Sequence, residues 1–201
     1  MSSNATSDPS STDTIEPAGP PDATGHYEID PNHSRIGFVV RHAMVSKVRG
    51  AFGEFNGSGF FDPRDPANSH LHLTIGAASV DTGNADRDAH LASGDFFETQ
   101  VFPEIEFRST RVQRSGTDAY EVTGDLTIKG VTHSVSVEFS VQGPVRDPFG
   151  LTRIGLEGST KVNRKDWGLE WNAALETGGV LVGEQVTLEF DVSAVASEGT
   201  D

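Results

Sequence analysis

The sequence contains no cysteine, which excludes disulfide scaffolds, thiolate metal sites and cysteine nucleophiles. Cations are scarce: 15 Lys and Arg stand against 30 Asp and Glu over 201 residues, a formal net charge of −15. Nucleic-acid binders neutralise phosphates with a basic surface, and the cations here are few and spread along the chain. Nucleic acid is therefore not an expected partner, and anionic membrane surfaces are disfavoured on the same ground. Long apolar runs are missing too, and segments such as Phe38-Val39-Val40 fall far short of a membrane span. Catalytic signatures are absent as well: there is no G-x-S-x-G elbow, P-loop, dinucleotide fingerprint or H-E-x-x-H. No enzyme activity and no cofactor are expected.

What is present divides the chain. Residues 1–25 carry no Lys or Arg and one large aliphatic residue after Met1, Ile15, so they read as a disordered acidic and polar tail. No basic start leads into an apolar run, so no export signal is expected and the protein is expected to be cytoplasmic. Six of the fifteen excess negative charges fall in this tail and in the disordered end at 197–201: Asp8, Asp13, Glu16, Asp22, Glu198 and Asp201. The whole chain is 35% hydrophobic, enough for a real core in the remaining domain, 26–196.

Within that domain the dominant period is two, the mark of strands with one apolar face. Ile36, Phe38 and Val40 alternate with polar or small residues in His33–His42, interrupted only by Val39. Phe52 and Phe55 fall out of phase across Gly53-Glu54, which predicts a bulge or bend inside Val48–Phe61. Leu71, Leu73 and Ile75, then Ile105 and Phe107, then Tyr120, Val122, Leu126 and Ile128 continue the pattern. Val135, Val137 and Phe139 follow a tight Lys129-Gly130 turn, and the last two strands run over Leu151–Asn163 and Glu184–Val195. Eight strands on short turns predict an all-β fold: an antiparallel up-and-down, lipocalin-like barrel, closed so that no edge is left exposed. Two insertions carry helical signals: Thr82–Glu98, with acidic residues at its start, and Asp166–Gly179, with Trp167 and Trp171 four apart.

An eight-stranded barrel is either filled by its side chains or just wide enough for one slender ligand. Strands of this length span about 35 to 40 Å, so an open interior would suit a linear lipid. Twelve phenylalanines against two tyrosines fit apolar aromatic walls, or a filled core.

The stretches YEIDPNHSRIGFVVRH, VRGAFGEFNGSGFFDP, RDAHLASGDFFETQVFPEIEF, VTGDLTIKGVTH and NRKDWG resemble the YceI-like family of polyisoprenoid-binding, lipocalin-like barrels. The resemblance covers nearly all of residues 26–195. It implies a barrel whose tunnel takes an isoprenoid chain, often in a dimer, with no catalysis required. Many members are periplasmic or secreted, and this chain departs from them in its acidic tail. No segment singles itself out as a homodimer interface.

The candidate ligand is thus a polyisoprenoid or an isoprenoid quinone. Phe38, Val40, Phe52, Phe55, Phe107 and Leu126 are expected to line the tunnel, and Leu91, Phe96, Phe97 and Trp167, on insertions, to gate one end. His42 shares the face of Phe38 and Val40, so it is expected at the mouth, as a headgroup contact or a structural histidine. Arg164 follows the parity of Val162, either as a salt-bridge staple between mouth loops or as a donor to an anionic head. His33 is expected to tie its strand start to a neighbouring loop. His70 and His72 share a face, but Leu71 and Leu73 claim the interior, so the pair is expected to face water rather than to hold a metal. Asn84, Asp86, Asp88 and Asp95 have partial calcium-loop spacing, yet Ala89 stands where glycine is needed, which favours helix-start residues instead. Two other readings stay open: a filled barrel serving a structural or stress-related role, and an enzyme for a small apolar substrate at the mouth.

Overall fold

The computed structural model describes residues 23–176 and 178–197, so most of the expected tail and the end from 198 lie outside the described residues. In chain order the elements are β1 (Gly25–Ile29), β2 (Arg35–His42), β3 (Ser46–Phe52), β4 (Phe55–Phe61), β5 (His70–Gly76), β6 (Val80–Asp81) and α1 (Ala85–Ala92). They continue with β7 (Glu104–Arg114), β8 (Ala119–Ile128), β9 (Val131–Arg146), β10 (Thr152–Asn163) and β11 (Val182–Ser197).

The strand order β1-β4-β5-β7-β8-β9-β10-β11, with β11 pairing back onto β1, closes an eight-stranded antiparallel barrel. β2, β3 and β6 prolong three of these strands. β1 and β2 both pair with β11, through Ile29↔Ala194 and Arg35↔Asp191, and are two halves of one strand. A 3₁₀ turn, Pro31–His33, separates them; Asp30 caps it by accepting the Asn32 N–H at 3.0 Å, and Pro31 presets its backbone. The first half, β1, escaped the sequence reading, which began its first strand at His33. The bend expected at Gly53-Glu54 divides β3 from β4, and a 3₁₀ turn at Ala77–Ser79 divides β5 from β6. These breaks are neighbours: the Gly53 N–H donates to the Ser79 carbonyl at 3.1 Å, Glu54 N–H to Ser79 Oγ at 3.0 Å, and Gly76 N–H to the Glu54 carbonyl at 2.8 Å. The wall turns a corner there with its backbone groups still paired.

α1 occupies the first predicted insertion. Asn84 caps it by accepting the Arg87 N–H at 2.9 Å, and Asp88 Oδ1 accepts from the Thr82 N–H at 2.9 Å and the Thr82 hydroxyl at 2.5 Å. These side chains therefore serve the helix start. The second insertion holds a 3₁₀ turn at Arg164–Trp167, slightly ahead of the predicted segment, followed by irregular chain up to β11. α1, this segment, the 43–45 hairpin and the 129–130 turn gather at one end of the barrel. Ala23, the 62–69 loop and the 115–118 and 147–151 turns lie at the other.

At that far end Arg153 bonds Asp30 at 2.7 Å and Asp147 at 2.8 Å, joining the β1–β2 break to the β9–β10 turn. Hydrogen bonds, from Arg153 first and then from His33 at 2.7 Å, hold the Asp30 carboxyl at a pKa of about 2. His33 thus ties the strand break as its position suggested.

Candidate functional site

The inward faces of the strands enclose a cavity of about 240 Å³, lined almost wholly by apolar atoms. One water needs roughly 10–15 Å³, so this space exceeds a packing defect by an order of magnitude. Among the described residues no large side chain is completely sealed, as expected where the core residues border a hollow.

Three cross-strand pairings show how the wall leaves room. The Phe38 ring lies over Gly50, Phe107 over Gly124 and Phe139 over Gly158, so close that a Cβ on each glycine would fall 2.4, 2.5 and 2.7 Å from ring carbons. Each phenylalanine spreads along the wall into the space of a missing side chain instead of projecting across the lumen.

The cavity lining includes Phe38, Val40, Phe52, Phe107 and Leu126 from the strands and Leu91, Phe96, Phe97, Trp167 and Arg164 from the capped end. Phe55 and His42 are not part of it. Phe55 follows the bend, stands opposite the lining residue Ile75 and packs half-buried against the core. His42 is the last residue of β2, paired with Ser46 at the hairpin turn and with the lining residue Val182 across a register shift in β11, and is half-exposed. The sequence reading missed Tyr27 and Ile29, which belong to the unseen β1, and Leu169, which sits in irregular chain without periodicity.

The capped end is an aromatic cluster. Trp167, 2% exposed, donates its indole N–H to the Leu126 carbonyl at 3.0 Å, fastening the 3₁₀ turn to β8. Phe97 meets Phe52 edge-on at 5.9 Å, which seats the segment after α1 on the wall. His90 of α1 meets Trp171 at 4.5 Å and Phe96 at 5.1 Å, both edge-on, and contacts Asp95 at 2.9 Å. The sequence reading noted Trp171 without assigning it to the gate.

Arg164 is buried, at 5% exposure. Its guanidinium donates to the carbonyls of Gly183 at 2.9 Å, Leu169, and Val182 at 3.4 Å, and lies 5.9 Å from the centre of the Phe96 ring. It staples the 164–169 segment to β11 through neutral carbonyls, so of the two roles its position suggested the staple is present, without a salt bridge. Burial pushes its pKa down, and the nearby Glu184 opposes that shift. Glu184 is itself bonded to Lys165 at 2.5 Å.

The histidine pair of β5 differs between its members. His70 is exposed and stacks on Phe60 at 6.1 Å, while His72 is half-buried with an Nε2 that has no hydrogen-bond partner among the described residues. Leu71 and Leu73 point into the barrel.

Comparison with known proteins agrees with this architecture. The UPF0312 protein plu2095 of Photorhabdus laumondii is 43% identical over 144 residues, 71% of this chain and 74% of its own. BcnA of Burkholderia cenocepacia superposes with a TM-score of 0.73 at 26% identity, covering 82% of this chain and 98% of BcnA. A domain from Saccharophagus degradans, described as polyisoprenoid binding and implicated in plant cell wall breakdown, superposes with a TM-score of 0.65 at 19% identity, covering 85% and 98%. At that identity the likeness concerns the fold alone. The profile of the YceI-like domain matches residues 27–194, and with relatives of this similarity the chain belongs to the YceI-like domain family.

Proposed function

We propose that the protein is a non-catalytic carrier that holds one long hydrophobic chain, a polyisoprenoid or the tail of an isoprenoid quinone, inside the barrel. The observation that supports this reading is the cavity itself: it is almost wholly apolar, with Phe38, Phe107 and Phe139 laid against glycines of the wall. The Saccharophagus domain, described as polyisoprenoid binding, shares the fold. Each buried methylene contributes about 0.8 kcal/mol, so a chain of several isoprene units can bind tightly without a hydrogen bond. Affinity rises with chain length until the tunnel is full. On this reading Arg164, with three of its five N–H groups committed to carbonyls, offers the others to a polar head lodged at the gate.

Native mass spectrometry of the freshly purified protein, followed by solvent extraction, tests the proposal. A stoichiometric isoprenoid, or uptake of added polyprenol or quinone, supports it; an empty protein that takes up neither moves the reading to a filled, structural barrel. Phe38→Asp places a charge in the wall and is expected to abolish uptake, and unchanged uptake by the folded variant overturns the tunnel assignment.

A further inference from the structure

The outer face of β10-β11-β2-β3 separates its charges: Glu157, Glu189 and Asp191 lie on the half toward the far end of the barrel, and the half toward the β2–β3 hairpin concentrates positive charge that the composition conceals. Lys161, Thr187, Val39 and Arg49 form one cross-strand row, through the registers Lys161↔Thr187, Thr187↔Val39 and Val39↔Arg49. Four adjacent strands span on the order of 14 Å. One residue pair nearer the hairpin, Arg41 stands directly opposite Lys47. All four cations are exposed, and among the described residues none has a carboxylate ion pair. The nearest acid lining this shallow groove, Glu189, lies 3.6 Å from Arg35. Val39 forms the floor beneath the cationic stems, which explains the one apolar residue that broke the alternation of β2. Like charges facing each other across strands destabilise a sheet, so the fold gains nothing from this arrangement alone.

The same two strands end in an apolar tip. Ala43 and Met44 turn the chain with φ of 49° and 63°, left-handed values rare for residues with side chains, and Met44 and Val45 stand 63% and 81% exposed. Val180, 38% exposed, lies in the neighbouring segment. This tip is at the capped end of the barrel, beside Arg164 and the gate residues.

We propose that this face docks on an anionic phospholipid bilayer, with the cations over the headgroups and the Met44-Val45 tip in the interfacial layer. A soluble acidic partner would be matched by the charges but would leave the valine and methionine unexplained; a bilayer satisfies both. The net charge of −15 does not forbid it, because at physiological ionic strength charges more than about 8 Å from the surface are screened and the nearest patch dominates. Docking in this orientation turns the gate toward the membrane, the source of a lipid cargo. The proposal stands apart from the carrier reading, since it concerns the outer surface.

Co-sedimentation of the full chain with vesicles tests it. Vesicles of equal parts phosphatidylcholine and phosphatidylglycerol are expected to bind the protein with an affinity that falls as salt rises, and pure phosphatidylcholine vesicles to bind it weakly. Lys47→Gln and Arg49→Gln, on exposed positions that leave folding intact, each weaken binding roughly five-fold. Val45→Ser weakens it without changing the salt dependence. Absence of binding at low salt, or binding indifferent to K47Q and R49Q, overturns the proposal. So does equally tight binding of soluble polyglutamate together with no effect of V45S, which assigns the patch to an acidic protein. No tunnel ligand enters the experiment, so its failure leaves the carrier reading untouched.

Discussion

The two ends of the barrel are held by different physics. At the far end, guanidinium and carboxylate groups do the joining: Arg153 ties Asp30 to Asp147, Arg114 donates to the Pro63 and Thr117 carbonyls at 2.7 and 2.6 Å, and Tyr27 donates to the Ala23 carbonyl at 2.9 Å. At the capped end ring edges meet rings, and the polar ties from Trp167, Arg164, Lys129 and Asn172 run to backbone carbonyls. α1 itself buries no residue completely and touches the core through Leu91. Directional bonds between strand breaks fix a geometry, whereas an apolar lid on a short helix can lift and reseat. On the proposed carrier reading, this contrast favours passage of a ligand at the α1 end.

Removing the deepest fastener of the lid gives the largest effect. Trp167→Ala deletes a 2% exposed indole and leaves the Leu126 carbonyl without its donor, so a loss of about 3–5 kcal/mol is expected. Denaturant titration measures it. Because the loss falls at the gate, the folded variant is also expected to release bound chain faster than the parent; release at the parent's rate would contradict a gate at this end.

How much of this contrast the sequence disclosed depends on the range of the signal. Period-two alternation is local, and it placed the walls, the bend at Gly53-Glu54 and the inward parity of Phe38, Val40, Phe107, Leu126 and Arg164. Parity assigns a face but not contact with the cavity: His42 and Phe55 stand opposite Val182 and Ile75, which line it, yet neither belongs to the lining. β1 was hidden because GHYEI is five residues long and follows a proline-rich tail, so its two inward residues, Tyr27 and Ile29, formed no run. The carbonyls that hold Arg164 belong to Gly183 and Val182 at the start of β11 and to Leu169 in irregular chain, and backbone partners leave no trace in residue type. The basic face was legible only in part: Arg41, Lys47 and Arg49 lie in one stretch without Asp or Glu, but that Arg41 faces Lys47 and that Lys161 joins their row follows only from register.

Acid distinguishes the ends next. Asp30, held at about 2, and Asp147, also lowered chiefly by its bond from Arg153, have folded-state values below those of an unfolded chain, near 3.9. Their contribution is therefore complete above about pH 4 and lost as pH falls toward 2. Arg153→Met removes both bonds, so it is expected to lower the melting temperature at neutral pH and to flatten its decline between pH 4 and 2. Melting curves across that window check both. Ligand release at neutral pH stays at the parent's rate, since the lid is untouched.

The smallest effect sharpens the comparison most, because it sets like against like. Lys129 Nζ ties the segment after α1 to the β8–β9 turn, donating to the Gly94 carbonyl at 2.8 Å and lying 3.3 Å from Glu98. Arg114 makes ties of the same surface kind at the far end. Exposed ties of this sort contribute about 0–1 kcal/mol, so Lys129→Met and Arg114→Met are both expected to leave stability within that margin. Their kinetics should part. If the lid opens as a unit, K129M removes one of the few bonds that must break each time, and release of a bound fluorescent polyprenol accelerates by up to about five-fold, the factor that 1 kcal/mol supplies. R114M, equal in chemistry but placed among bonds that do not break, leaves release unchanged. Stopped-flow release with both variants side by side measures the difference, and equal rates would mean that the chain does not leave past α1.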